Sequence, residues 1–130
     1  MIADAQMRGA SVREKLRNAE GGSWSPDEAA VYLGISKAAV LKRYKKGRLV
    51  AWHEEKQGDV RIPVWQFVDH HVLRGLEEVL SVLLPKPLDD YGRMLFFLTN
   101  VSFLGGRRPL DCLRVGDVEA TLQGAAAYGG

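Results

Sequence analysis

The chain has 130 residues, 46 % hydrophobic and 26 % charged, and 18 Lys and Arg against 16 Asp and Glu leave a net charge of +2. This composition excludes a disordered chain and fits one globular domain, or two small ones sharing an interface. The longest dense apolar run, Met94 to Leu98, is far shorter than the roughly 18 residues of a membrane span. Residues 1–22 mix charged with small residues and lack the apolar stretch of a secretory signal, so a cytoplasmic protein with no membrane partner is expected.

Charge is uneven along the sequence: +1 over residues 1–22, +3 over 23–63 and −2 over 64–130. The first segment reads as an N-terminal arm, in which Ser11 and Glu14 have the spacing of a capping box and predict a short helix from Val12 to Ala19. In the second, Ser25-Pro26-Asp27-Glu28 is a helix start: Ser25 accepts from free amides, Pro26 suits the first turn, and Glu28 completes the box. Ala29, Ala30, Tyr32 and Leu33 continue that helix until Gly34 stops it. Ser36 is a second cap, and the next helix runs from Lys37 to about Lys46, closed by Gly47. Two short helices around a Gly-containing turn predict a helix-turn-helix.

Laid out at about 100° per residue, Val40, Leu41 and Tyr44 form the apolar stripe of the second helix, while Ala38, Lys42, Lys45 and Lys46 lie opposite and Arg43 lies on the flank. From Ser36 to Arg48 there are six cations and no acid. A charge run is most simply a solvated helix face; segregated opposite a docking stripe, it is also the footprint of a polyanion-binding surface. Small Ala38 allows close approach to a major-groove floor, Lys42 and Arg43 have the reach for base edges, and Lys45, Lys46 and Arg48 suit phosphates. Leu49–Trp52 and Val60–Pro63, separated by a polar loop containing Gly58, predict a β-hairpin wing. Lys56, Gln57 and Arg61 are its candidate backbone contacts, although Glu54, Glu55 and Asp59 set acids beside any phosphate there.

The residues Ser25 to Ser36, with Ala39-Val40, Gly47-Arg48-Leu49 and Arg61-Ile62-Pro63, resemble the excisionase/MerR-type winged helix-turn-helix over about 40 positions. The resemblance implies double-stranded DNA as partner, with the segment Ser36–Lys46 in the major groove and Arg61 in the wing. The candidate DNA-binding set is therefore Ser36, Lys37, Ala38, Lys42, Arg43, Lys45, Lys46, Arg48, Lys56 and Arg61.

From Val64 to Leu84 apolar residues recur at spacings of three and four, which predicts one amphipathic helix of about 18 residues, ended by Pro85 and Pro87. At ~27 Å such a helix either pairs with its copy in a homodimer or packs in the core of a monomer. His70 and His71, adjacent in sequence, point apart on a helix and are read as surface residues. Leu88-Asp89-Asp90-Tyr91 opens a further helix to Asn100, whose apolar run Met94–Leu98 implies burial on more than one side. Gly105-Gly106 is a turn, Pro109 starts a short helix, and Asp117 caps a last one from Val118 to Tyr128.

Phe97-Leu98, Asn100, Phe103 to Leu113, Gly116-Asp117-Val118 and Ala125-Ala126 resemble the toxin-binding domain of MbcA/ParS/Xre-type antitoxins, again over about 40 positions; Phe97 stands where that family usually has Trp. The resemblance implies a dimer that holds a RES-type toxin, an enzyme acting on NAD, near the C-terminal helix and tail. Leu104, Gly105, Arg107, Arg108 and Tyr128 are the candidate toxin-binding residues.

Catalysis is not expected. Cys112 is the only cysteine, excludes an internal disulfide, and sits between leucines where a buried apolar role suits it. Three histidines without any Cys-x-x-Cys spacing predict no metal site, the Gly105-Gly106-Arg107 turn is not a phosphate loop, and no cofactor is implied. The expected fold is mainly α: an arm at 1–22, a winged helix-turn-helix with a small β-hairpin at 23–63, and a helical dimerisation and toxin-binding module at 64–130. The expected function is a DNA-binding antitoxin that represses its own operon. Its alternatives are a toxin-independent phage or operon regulator whose C-terminal half only dimerises, and an adaptor whose basic face meets an acidic protein.

Overall fold

The computed structural model describes residues 11–54 and 58–129, a mainly α-helical chain with two small antiparallel sheets. Helix α1 covers residues 11–18 and tightens into a 3₁₀ turn at Ala19–Gly21. The short helix expected from Val12 to Ala19 is present, but Ser11 already lies inside it and is not its cap. Strand β1 (Ser23–Trp24) leads into α2 (Pro26–Leu33), and α3 (Lys37–Lys45) follows after a left-handed Gly34, φ 70°. Both halves of the Ser25–Glu28 capping box form, with Glu28 N–H donating to Ser25 Oγ at 3.2 Å and Ser25 N–H to Glu28 Oε1 at 3.0 Å. The bond from the Ser25 amide holds the Glu28 carboxyl below its usual range. Ser36 Oγ accepts from Ala39 N–H at 3.0 Å at the head of α3.

Strands β2 (Trp52–His53) and β3 (Val60–Pro63) form the wing, in register Trp52↔Arg61 and His53↔Val60. The first wing strand is shorter than expected: Leu49, Val50 and Ala51 are buried core residues outside any strand. β1 pairs with the far side of β3, giving the order β1-β3-β2. Beneath this sheet Ala29, Ala30, Val40, Leu49, Ala51, Ile62 and Phe67 make the first hydrophobic core.

The single helix expected from Val64 to Leu84 does not form. Val64–Gln66 is a 3₁₀ turn, β4 (Phe67–Val68) and β5 (His71–Val72) make a tight hairpin, and only α4 (Leu76–Leu83) is helical. Two cores compete for this segment: Trp65 enters the second core and Phe67 the first, so neighbouring apolar residues face different clusters. The hairpin tip places Asp69 (φ 50°) and His70 (φ 65°) in the left-handed region, which no helix contains. Buried Gln66 pins the connection, donating from Nε2 to Val50 O (2.8 Å) and Pro63 O (2.9 Å) and accepting from Val50 N–H (2.9 Å).

The rest of the chain packs α4, α5 (Asp90–Leu98), α6 (Pro109–Arg114) and α7 (Val118–Ala127) around the second core. Met94, Phe96 and Phe97 are fully buried there with Leu76, Leu80, Leu83 and Leu110, and Leu16 of α1 and Trp52 of the wing join them. The cap expected of Asp117 forms, its Oδ1 accepting from Ala120 N–H at 3.4 Å, and Asp89 caps α5, its Oδ1 accepting from Gly92 N–H at 2.7 Å. Cys112 is buried, which pushes its thiol pKa up. Among the described residues no helix is long and apolar enough to cross a membrane, and no cluster of His, Cys, Asp and Glu could hold a metal ion.

Candidate nucleic-acid interface

Helix α3 is positioned from beneath by its apolar stripe. Val40 is fully buried, while Leu41 and Tyr44 are half-buried at the edge of the contact. The opposite face carries Ala38, Lys42, Lys45 and Lys46, all exposed, with Arg43 half-exposed on the flank and Arg48 exposed just past the Gly47 turn. This is the segregation that the helical projection predicts.

The state of these cations separates them from others in the chain. Arg17 donates to Tyr91 Oη, Arg93 faces Asp90 at 3.4 Å, Arg107 faces Asp117 at 3.1 Å, and Arg108 bonds Asp111 and Glu20 at 2.8 and 2.9 Å. Lys42, Arg43, Lys45, Lys46 and Arg48 have no acidic partner among the described residues. Lys37, at the head of α3, sits 3.6 Å from Asp27, an exposed pair of small energetic weight. Ser36 is occupied as the helix cap.

Of the wing candidates, only Arg61 lies among the described residues. Arg61 is half-buried and turned inward, donating to Ser23 O (2.9 Å) and Ser23 Oγ (3.1 Å), so it fastens β3 to β1. Lys56 and Gln57 lie outside the described residues. Between the wing, the heads of α2 and α3 and the end of α1 runs a groove of about 780 Å³. Its cations Arg17, Lys37 and Arg61 are matched by Asp27, Glu54 and Asp59, so this side offers a polyanion no net attraction. The unbalanced positive surface is α3 itself.

Four of the candidate toxin-binding residues, Leu104, Arg107, Arg108 and Tyr128, make contacts within the chain. Leu104 is only 4 % exposed and lies under α7, where a methyl at Gly124 would come within 3.1 Å of it. Arg107 donates to Leu104 O and Asp117, closing the Gly105-Gly106 turn, in which Gly105 has φ 68°. Arg108 joins α6 to the end of α1, and its guanidinium lowers the pKa of both Glu20 and Asp111 through direct hydrogen bonds. The Tyr128 ring meets Phe96 edge-on at 4.9 Å, and its carbonyl accepts from Lys86 Nζ at 2.8 Å.

No protein-family model matches the chain, and no curated protein matches it. Among solved structures, the NMR structure of Rv2175c superposes with a TM-score of 0.70, covering 87 % of this chain and 84 % of that one at 23 % identity. That likeness is one of fold.

Sequence reasoning placed Tyr44 in the apolar stripe and missed its polar end. The Tyr44 hydroxyl donates to Asp90 Oδ2 on α5 at 2.7 Å, a bond spanning 46 positions with no local signal at either residue.

Proposed function

We propose that this protein binds double-stranded DNA through α3, inserted in the major groove, and acts in the cytoplasm as a transcription regulator. The observation that carries the reading is the cluster formed by Lys42, Lys45 and Lys46 on one exposed face, with Arg43 on its flank and Arg48 just past the helix end, none with an acidic partner among the described residues. Such a surface gains by exchanging condensed counterions on a duplex for lysine and arginine contacts. Lys42 and Arg43 are assigned to base edges, and Lys45, Lys46 and Arg48 to phosphates. The electrically balanced wing groove supports a mode in which the helix, rather than the wing, carries most of the contact.

A homodimer reading two half-sites is the expected binding form, and selection from a random duplex library should then return an inverted repeat. The further role of holding a RES-type toxin draws no support from Leu104, Arg107 or Arg108, which are engaged within the chain. Co-purification with such a toxin is its test. The DNA reading is tested by fluorescence anisotropy on a mixed-sequence duplex at several salt concentrations: affinity should fall steeply with salt, and salt-independent binding would refute it.

A further inference from the structure

The far end of α3 is held by two contacts with the C-terminal helices. The first is the Tyr44–Asp90 hydrogen bond, in which a phenol donates to a carboxylate at 2.7 Å. Asp90 sits in the first turn of α5, where the helix N-terminus favours its negative charge, and its other oxygen faces Arg93 at 3.4 Å. Partial burial together with this carboxylate raises the Tyr44 pKa, favouring the protonated phenol that donates to Asp90. The second contact is at Gly47, the turn that ends α3 (φ 73°), where an added methyl would lie 3.0 Å from Leu84 Cδ1. Between them is a cavity of about 320 Å³ lined in part by Tyr44, Lys45, Gly47, Leu84, Asp90 and Arg93. The Tyr44 ring also packs against His53 of the wing at 5.5 Å, so one side chain touches α3, the wing and α5.

We infer that Asp90, acting through Tyr44, is a positioning residue for DNA recognition: it fixes the pitch at which α3 presents Lys42 and Arg43 to the bases. This rests on the DNA-binding reading above. Electrostatic contact tolerates a helix that rocks by a few degrees, because lysines follow phosphates on flexible stems. Base readout does not tolerate it, since bidentate contacts need fixed geometry. The C-terminal module thus contributes to specificity without touching DNA.

The test compares two duplexes, one selected from a random library by the native protein and one of mixed sequence, with Tyr44→Phe, Asp90→Ala, Asp90→Asn and the Tyr44→Phe/Asp90→Ala pair. Tyr44→Phe and Asp90→Ala should each weaken binding to the selected duplex about tenfold, the scale of one lost charge-assisted hydrogen bond, and leave the mixed duplex within about twofold. Asp90→Asn, which keeps an acceptor for the phenol, should recover most of the loss, and the double variant should be no worse than either single one. Equal losses on both duplexes, in proportion to loss of folded protein by circular dichroism, would mean that the pair only supports the fold and would overturn the proposal. So would undiminished discrimination in Tyr44→Phe. Failure of the native protein to bind either duplex would refute the DNA reading itself, and the positioning role with it.

Discussion

Gln66 is the sharpest place to test how the two cores are joined. It is fully buried, and its amide supplies the partners of both Val50 N–H and Val50 O, at 2.9 and 2.8 Å. Val50 lies outside the strands, so no ladder bond replaces them. Gln66→Met keeps the length and apolar stem but leaves the buried Val50 N–H and O unpaired and takes a donor from Pro63 O. Each such group costs about 1–3 kcal/mol, offset in part because methionine brings no amide to desolvate. A loss of about 3 kcal/mol is therefore expected. For a chain of this length that is roughly a 10 °C fall in Tm. Urea unfolding followed by tryptophan fluorescence measures it, and the slope with denaturant should not change, because the exposed area is the same. A loss below about 1 kcal/mol would mean that Val50 finds other partners and that Gln66 is not the fastener described.

Three further outcomes follow from other parts of the structure. Gly75 caps α4 with φ 90°, and an added methyl would lie 2.7 and 2.8 Å from the two Val118 methyls, so Gly75→Ala should cost about 3 kcal/mol by equilibrium unfolding. Gly34→Ala, also left-handed but with nothing within 4 Å, should cost only about 1 kcal/mol, and equal losses would refute the packing argument. The Arg108 guanidinium lowers the pKa of Glu20 and Asp111 in the folded chain, so its stabilisation is present above their ordinary range near pH 4 and is lost as pH falls through the lowered values. The Tm gap between the native chain and Arg108→Ala should accordingly narrow from pH 5 to pH 2, and a constant gap would contradict the assignment.

How much of this was legible in the sequence depends on the range of each interaction. The caps at Ser25, Ser36, Asp89 and Asp117 each bond an amide three residues on, so their residue types announce them. The segregation of α3 was likewise readable, because period and charge belong to the same nine residues. Residues 64–84 misled because spacings of three and four are produced equally by one helix or by a turn and hairpin serving two cores. The local warnings there were Asp69, a residue type that tolerates the left-handed region, and Gly75, which interrupts the run. The inward turn of Arg61, the burial of Gln66 and the Tyr44–Asp90 bond involve partners 38, 16 and 46 positions away, and no local pattern encodes them. In the C-terminal block, Arg108 bonds Asp111 three residues on, a pair the sequence spacing allows, whereas Glu20 and Asp117 reach Arg108 and Arg107 only through packing.

The central claim is that α3 meets a duplex through its unpaired cations, and the dependence of DNA affinity on salt tests it most directly. With Lys45, Lys46 and Arg48 on phosphates, the logarithm of the association constant should fall against the logarithm of salt concentration with a slope of about −3 or steeper, since each contact contributes about −0.9. Lys45→Ala and Lys46→Ala should each make the slope shallower by about 1 per chain. A slope near zero, or one that the double substitution leaves unchanged, would contradict the account.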